Sequence, residues 1–152
     1  MSGAEPAPGA ADHSAWRLAM TERLASRLDG ARFGVTAAYL IGSVKRADAG
    51  ACSDIDLLVV FEGTPAQRRD LLLWFEGWSL CLAELNALRT GHQTGGLLDV
   101  HFVTPDDIAR KTSYAIKIGS ATDPARPLRL NDAVPVSAAP ERRPPDAPDR
   151  TG

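Results

Sequence analysis

The stretch "YLIGSVKRADAGACSDIDLLVVFE", residues 39–62, contains two apolar runs separated by a polar segment. The first run ends at Gly42 and Ser43, and the second begins around Asp54 and Asp56. Side chains alternate across a strand, yet the residues that follow Asp56 are apolar on both faces, which is typical of a buried strand. The two carboxylates therefore stand at the end of a buried strand, where a sheet meets solvent.

The segments around this stretch predict a small domain of mixed class. Their order is helix, strand, strand, helix, strand, helix, which indicates an α/β or α+β sandwich with a small mixed sheet flanked by helices. The predicted elements are a helix over residues 15–29 with Ser14 as its N-cap, strands at 35–41, 54–62 and 97–103, a long amphipathic helix after Pro65, and a short last helix with Thr104 as N-cap and Pro105 at its first position.

Composition sets the expected limits of this domain. The chain has 152 residues and 44% hydrophobic content, enough for one domain with a sizeable core. Residues 1–13 are rich in Ala, Pro and Gly, and residues 121–152 carry seven of the eleven prolines. We therefore predict a disordered N-terminal tail over residues 1–13, a domain over residues 14–120 and a Pro-rich disordered tail over residues 121–152.

Charge and cysteine usage argue against several classes of function. The formal net charge is -2 and the chain has no dense Lys/Arg block, so sequence-specific DNA binding is not expected. Cys52 and Cys81 lack the spacing of a zinc site or a disulfide scaffold, which fits a reducing compartment. The sequence shows no leader pattern and no membrane-length apolar run. We therefore expect a soluble protein of the cytoplasm, without a membrane partner.

A third carboxylate interrupts the last predicted strand, because Asp99 stands between Leu98 and Val100. If this strand neighbours the second one, a spacing of about 4.8 Å lets Asp99 join Asp54 and Asp56. Two unit charges about 4 Å apart at an effective dielectric near 20 repel by roughly 4 kcal/mol, so the cluster needs a counter-ion. Oxygen ligands with open positions favour Mg²⁺ or Mn²⁺, and this chemistry indicates phosphoryl or nucleotidyl transfer.

The Gly-Ser pair predicts a phosphate site beside the carboxylates. Gly42 allows close approach of phosphate oxygens and Ser43 offers a hydroxyl group. Lys45 and Arg46 would add positive charge, and we include Ser53 in the same predicted phosphate-binding set. A basic pair in a loop is also typical of a solvated surface, and the sequence leaves these two interpretations of Lys45 and Arg46 equally open.

Simpler interpretations compete for the other candidates. A lone Asp-x-Asp is most often a solvated strand end, but the upstream Gly-Ser and the downstream Asp99 favour a site. His101 shares a strand face with Asp99, yet a single histidine near a core edge is more often structural, so we leave it outside the predicted site. Trp74 and Trp78 follow helical spacing with the other apolar residues of their segment, which favours core packing over stacking on a base.

Together, five residues carry a family resemblance over about residues 16–119. In order and context, they resemble the polymerase-beta-type nucleotidyltransferase superfamily: Gly42, Ser43, Asp54, Asp56 and Asp99. In size and in the "GSVKR" motif the chain is most similar to the minimal nucleotidyltransferases, although Ala47 stands where a glycine usually follows the arginine. The resemblance implies that Asp54 and Asp56 ligate two Mg²⁺ or Mn²⁺ ions. It also implies that Asp99 completes the catalytic metal site and helps deprotonate an acceptor hydroxyl, and that Ser43 holds the terminal phosphates.

The resemblance implies a reaction and several possible acceptors. AMP from ATP, or NMP from another NTP, would pass to a hydroxyl group. We expect the acceptor on a partner protein, as in toxin-antitoxin pairs of a minimal nucleotidyltransferase with a helical HEPN ribonuclease. One alternative is a catalytically silent binding module that keeps the nucleotidyltransferase fold. Another is a small-molecule, antibiotic-type nucleotidyltransferase that acts as a homodimer. The sequence does not determine the oligomeric state.

Overall fold

A computed structural model describes residues 10–131. The parts of the predicted tails at 1–9 and 132–152 lie outside the described residues. In chain order, the elements are α1 (Ala10–Arg27), α2 (Gly30–Phe33), β1 (Val35–Ile41), α3 (Gly42–Lys45), β2 (Ile55–Phe61), α4 (Pro65–Thr90), β3 (Leu98–Val103), α5 (Pro105–Arg110), a 3₁₀ helix (Ser113–Lys117) and β4 (Arg126–Leu128).

Within residues 10–131, four strands form one mixed sheet in the order β3-β2-β1-β4. β2 and β3 are parallel, whereas β1 runs antiparallel to both β2 and β4. The end of β1 and the starts of β2 and β3 therefore lie at the same edge of the sheet. In the register, Ile41 pairs with Asp56, and Asp56 pairs with Asp99. The predicted small mixed sheet flanked by helices is confirmed.

Strand β2 is buried on both faces, which explains its uninterrupted apolar sequence. Leu57 and Val59 pack into a core with side chains of α1 and α4. Leu58 and Val60 face a second, smaller core that includes Ala115 of the 3₁₀ helix. The sheet therefore lies between the long helices on one side and the segment that follows β3 on the other.

Helix α1 differs from the prediction in its start, and its buried side includes polar residues. It begins at Ala10, five residues before the predicted start, so Ser14 lies inside the helix and is not its N-cap. A stripe of residues that is polar in its first half is buried. This stripe consists of Ser14, Arg17, Thr21, Leu24 and Ala25, and buried Leu28 follows directly after the helix. Its polar half contacts the loop before β2, an interaction that hydrophobic periodicity does not report.

The chain beyond residue 120 also differs from the prediction. Residues 121–131, assigned above to a disordered tail, include β4, which pairs with Ala38, Tyr39 and Leu40 of β1. β4 is a short edge strand containing Pro127, and proline is tolerated there because one side of an edge strand needs no ladder hydrogen bond. Because β4 is short and contains a proline, the sequence pattern does not predict a strand there. Residues 121–131 therefore belong to the described fold.

Helix α4 has clear start and stop signals. Thr64 and Gln67 form a capping box at its start, and Gly91 ends it in the left-handed conformation. By length and composition α4 could cross a membrane, but a core helix of a soluble protein passes the same test, so this is weak evidence. Its inner side packs against the sheet through Leu71 and other apolar side chains.

The last predicted helix is two separate elements in the structure. Thr104 caps α5 as predicted, through a capping box with Asp107. The helix then ends at Arg110 because Lys111 adopts a left-handed conformation with φ of 54°. A 3₁₀ helix follows, and this break brings its side chains back against β3.

Replacing a leucine by alanine should lower the free energy of unfolding by different amounts on the two faces of α4. Leu71 is 0% exposed and Leu73 is 67% exposed on the same helix. We expect Leu71→Ala to lower the free energy of unfolding by about 2–5 kcal/mol, because it removes buried methyl groups and leaves a cavity. Leu73→Ala is the matched control and should change it by less than about 0.5 kcal/mol. Urea denaturation measures both, and equal losses would contradict the described packing.

Candidate active site

Asp56 and Asp99 form the centre of the site. They are directly paired at the starts of the parallel strands β2 and β3, and one carboxylate oxygen of each lies within 4.8 Å of the other. Burial of Asp56, together with the charge of Asp99, raises the pKa of Asp56 to about 6. Burial and the charge of Asp99 also raise the pKa of Asp54, which directly precedes β2. The three carboxylates named by the sequence therefore interact as one cluster.

His101 joins this cluster although the sequence analysis left it out. Among the described residues, Asp56, Asp99 and His101 each offer one ligand atom, and these atoms lie within 4.8 Å of one another. The Nε2 atom of His101 lies 3.4 Å from Oδ2 of Asp99. Asp54 is not a member of this compact group. The sequence signal for His101 was its position two residues after Asp99, because residues two apart share a strand face.

The donors of this cluster fit a divalent cation. Carboxylate oxygens are the preferred ligands of Mg²⁺ and Mn²⁺, and the ligand atoms are close enough to reach one ion. The raised pKa of Asp56 shows that its ionised form is disfavoured in this arrangement. A cation would remove that penalty. Asp56 and Asp99 are therefore the described carboxylates best placed to hold a metal, with Asp54 beside them.

Gly42 allows the Asp56 carboxylate to reach this position. The backbone of Gly42 has a φ of 80°, a conformation that other residues rarely adopt. A Cβ atom at this position would lie 2.3 Å from Oδ2 of Asp56, far inside van der Waals contact. The glycine was predicted to admit phosphate oxygens. In the structure, its missing side chain makes room for the carboxylate.

The two predicted phosphate-binding cations lie against another acidic residue. Lys45 makes a short ion pair with Asp123 and also donates a hydrogen bond to the carbonyl of Pro124. Arg46 lies 3.6 Å from the same Asp123 carboxylate, and Lys117 lies 3.4 Å from it. The hydrogen bond from Lys45 holds the pKa of Asp123 below its ordinary value. Asp123 follows the predicted domain boundary, so sequence reasoning could not include it.

The two predicted serines differ in their surroundings. Ser43 is partly buried in α3, directly after the Gly42 turn that contacts Asp56. The hydroxyl oxygen of Ser53 accepts a hydrogen bond from the backbone N–H of Gly50 at 2.8 Å. Ser53 therefore shapes the loop before Asp54, whereas Ser43 directly follows the glycine that makes room for the Asp56 carboxylate.

A buried arginine that the sequence analysis missed supports the same loop. Arg17 is fully buried, and its guanidinium donates to the carbonyl oxygens of Ser53 at 3.1 Å and Ala51 at 3.2 Å. It also donates to Oδ1 of Asn86 at 2.8 Å, and the amide of Asn86 donates to the Ala51 carbonyl at 3.0 Å. Helices α1 and α4 thus hold the loop that presents Asp54. The sequence signal for Arg17 was the helical spacing that places it and other polar residues in line with the buried apolar residues of α1.

Substitution of Gly42 tests the contact with Asp56. We expect Gly42→Ala to lower the free energy of unfolding by about 2 kcal/mol, because the left-handed backbone alone costs about 1–2 kcal/mol with a side chain. Gly77→Ala is the matched control, since an added Cβ there meets nothing within 4 Å. In the interior of α4, that alanine should raise stability by roughly 0.5–1 kcal/mol. Thermal or urea unfolding should show a loss of stability for Gly42→Ala and a gain for Gly77→Ala.

The raised pKa of Asp56 predicts a pH dependence in EDTA. Between its ordinary value of 3.8 and about 6, the folded chain binds more protons at this site than the unfolded chain. The contribution of Asp56 to stability therefore falls as the pH rises from about 4 to about 6.5. We expect Asp56→Asn to gain roughly 1 kcal/mol over wild type across this range, a value reduced for solvent screening.

Asp70→Asn, an exposed acid on α4, is the control for this measurement. It should follow the wild-type pH profile, and a constant stability difference between wild type and Asp56→Asn would contradict the raised pKa. Saturating Mg²⁺ or Mn²⁺ should remove the advantage of the asparagine variant, because the cation stabilises the ionised carboxylate.

Comparison with known proteins agrees with this geometry. A search of protein-family models matches residues 22–119 to a family described as the nucleotidyltransferase domain. Searches of curated proteins and of solved structures give no significant match. The matched segment exceeds half of the chain and contains all five residues that carried the superfamily resemblance, which it confirms. The chain with its paired Asp56 and Asp99 belongs to the nucleotidyltransferase domain family.

Proposed function

We propose that this chain is a metal-dependent nucleotidyltransferase that transfers AMP from ATP, or NMP from another NTP, to a hydroxyl group. One observation carries the proposal. Asp56 and Asp99 are held side by side at paired strand starts, in an arrangement that disfavours the ionised form of Asp56. Such an arrangement gains most from a divalent cation carrying a polyphosphate substrate. Membership of the nucleotidyltransferase family supports the same reaction.

The roles come from the resemblance to the nucleotidyltransferase superfamily, and the positions of the carboxylates support them. Asp54, Asp56 and Asp99 would hold two Mg²⁺ or Mn²⁺ ions, and Asp99 would also take the proton of the acceptor hydroxyl. The acceptor oxygen forms a bond to the α-phosphorus, the bond from the α-phosphorus to the bridging oxygen breaks, and pyrophosphate leaves. When bound, the ions would supply charge neutralisation and activation of the attacking oxygen.

Ser43, beside the Gly42 turn, would bind the terminal phosphates. Ser53 would contribute indirectly through the shape of its loop. Lys45 and Arg46 would add positive charge for the phosphates after leaving Asp123, their partner in the described structure. This set thus combines the Ser43 hydroxyl with two cations that would exchange the Asp123 carboxylate for the phosphates.

The outer face of α4 supports a protein as the acceptor. Four leucines are exposed on this helix: Leu72, Leu73, Leu80 and Leu88. Two exposed glutamates, Glu76 and Glu84, interrupt this apolar surface, and exposed apolar surface rimmed by polar residues often marks an interaction site. From the resemblance to the minimal nucleotidyltransferases, we propose a cytoplasmic protein with a helical HEPN-type toxin as partner, and the exposed leucines offer a surface for it. The same face also fits a second copy, so a homodimer that modifies a small hydroxylated compound is the second candidate.

Transfer of labelled nucleotide tests the proposal. The full chain is incubated with α-labelled ATP, Mg²⁺ or Mn²⁺, and either the protein encoded beside it or a panel of hydroxylated compounds. We expect label on one of these acceptors, and a loss of roughly a hundredfold or more with Asp56→Asn, because a metal ligand is removed. Asp70→Asn should retain full transfer.

The acceptor that becomes labelled separates the two candidates. Since Asp56→Asn is expected to be at least as stable as wild type near pH 7, its loss of activity would not reflect unfolding. Absence of transfer with every metal and triphosphate would overturn the enzymatic proposal. If ATP still bound and the partner were still inhibited, the chain would be a silent binding module.

A further inference from the structure

We propose that Nε2 of His101 is a direct ligand of the cation held by Asp56 and Asp99, and that this nitrogen makes the site prefer Mn²⁺ to Mg²⁺. The inference rests on the proposed function only in assuming that a divalent cation binds this cluster. It adds a ligand that the predicted all-carboxylate set lacks, and it assigns the metal preference of this particular chain.

The spacing of the three residues suits a shared ion. Two neighbouring ligands of an octahedral cation, each about 2.1 Å from it, lie about 3 Å apart. The distance of 3.4 Å from Nε2 of His101 to Oδ2 of Asp99 is close to this value. It also exceeds the usual N–H···O hydrogen-bond range of about 2.7–3.2 Å. With Asp56, all three ligand atoms lie within 4.8 Å of one another.

The imidazole ring is held in this position. His101 pairs with Leu58 in the parallel ladder, two residues after Asp99 and on the same face of β3. Its ring packs against the ring of Tyr114 in the 3₁₀ helix, with centroids 4.0 Å apart and planes inclined by 32°. The side chain of His101 is only 21% exposed. The nitrogen is therefore presented to the carboxylates by packing, with little freedom to turn into solvent.

The donor set determines the metal preference. Mg²⁺ prefers a shell made of oxygen ligands, whereas imidazole is a common ligand of the first-row transition metals. A site of two carboxylates and one imidazole should therefore disfavour Mg²⁺ relative to Mn²⁺. If His101 only balanced the carboxylate charges, it would not contact the ion, and no such preference would arise from it.

Pulsed electron paramagnetic resonance of bound Mn²⁺ tests the assignment. The full wild-type chain is loaded with Mn²⁺ alone, so that no nucleotide nitrogen contributes. We expect nitrogen modulation from a directly bound ligand, and a change in this modulation when the histidines carry ¹⁵N. This readout requires no substitution, and it therefore holds even if a His101 variant does not fold.

Variants then identify the histidine. His101→Phe keeps a ring against Tyr114 but removes the nitrogen, and it should abolish the modulation and weaken Mn²⁺ binding by about tenfold or more. Its Mg²⁺ affinity, measured by competition, should change by less than about threefold. His13→Phe, on α1 and outside the cluster, is the matched control and should keep both the modulation and the Mn²⁺ affinity.

The possible failures are distinguishable. Mn²⁺ that binds without histidine modulation would overturn the assignment of His101 and leave the proposed transferase intact. Modulation that persists in His101→Phe would have the same effect. If the wild-type chain bound no Mn²⁺ with or without a triphosphate, the assignment and the metal-dependent reaction would both be overturned.

Discussion

The parallel pairing of β2 with β3 is the constraint on which the site depends. This register sets Asp56 directly opposite Asp99 and leaves an oxygen of each carboxyl group within 4.8 Å of the other. Two ionised carboxylates at this distance repel each other, and burial adds to the penalty. The raised pKa of Asp56 is the consequence. The domain thus gives up some stability at neutral pH to hold an arrangement suited to a cation.

Two neighbouring features make this arrangement possible. Gly42 leaves room for the Asp56 carboxylate at the end of β1, in a backbone conformation that favours glycine. Arg17 and Asn86 hold the loop before β2 through hydrogen bonds to its carbonyl groups. Since Arg17 is fully buried, its charge is stabilised only while these partners remain in place. The site and the helix packing behind it therefore depend on each other.

Much of the fold could be predicted because its strong signals are local. The apolar run of β2, the capping box at Thr64 and the glycine after α4 each follow from short-range chemistry. The same local chemistry pointed to Asp54, Asp56 and Asp99. The polar face of α1 and the strand β4 could not be predicted this way. Arg17 is buried only because a distant loop supplies its acceptors, and β4 exists only because β1 offers an edge.

The sequence by itself determined the mixed sheet, the Gly-Ser turn and the three carboxylates, since strand alternation and residue chemistry act over a few positions. Tertiary structure alone decided which groups meet. It placed Lys45 and Arg46 on Asp123, and it packed His101 between Asp99 and Tyr114. These contacts join residues from separate elements. Their distances are set by the register of the strands and by the way the segment after β3 folds back against the sheet. For that reason the composition of the cluster, beyond its carboxylates, could be read only from the folded chain.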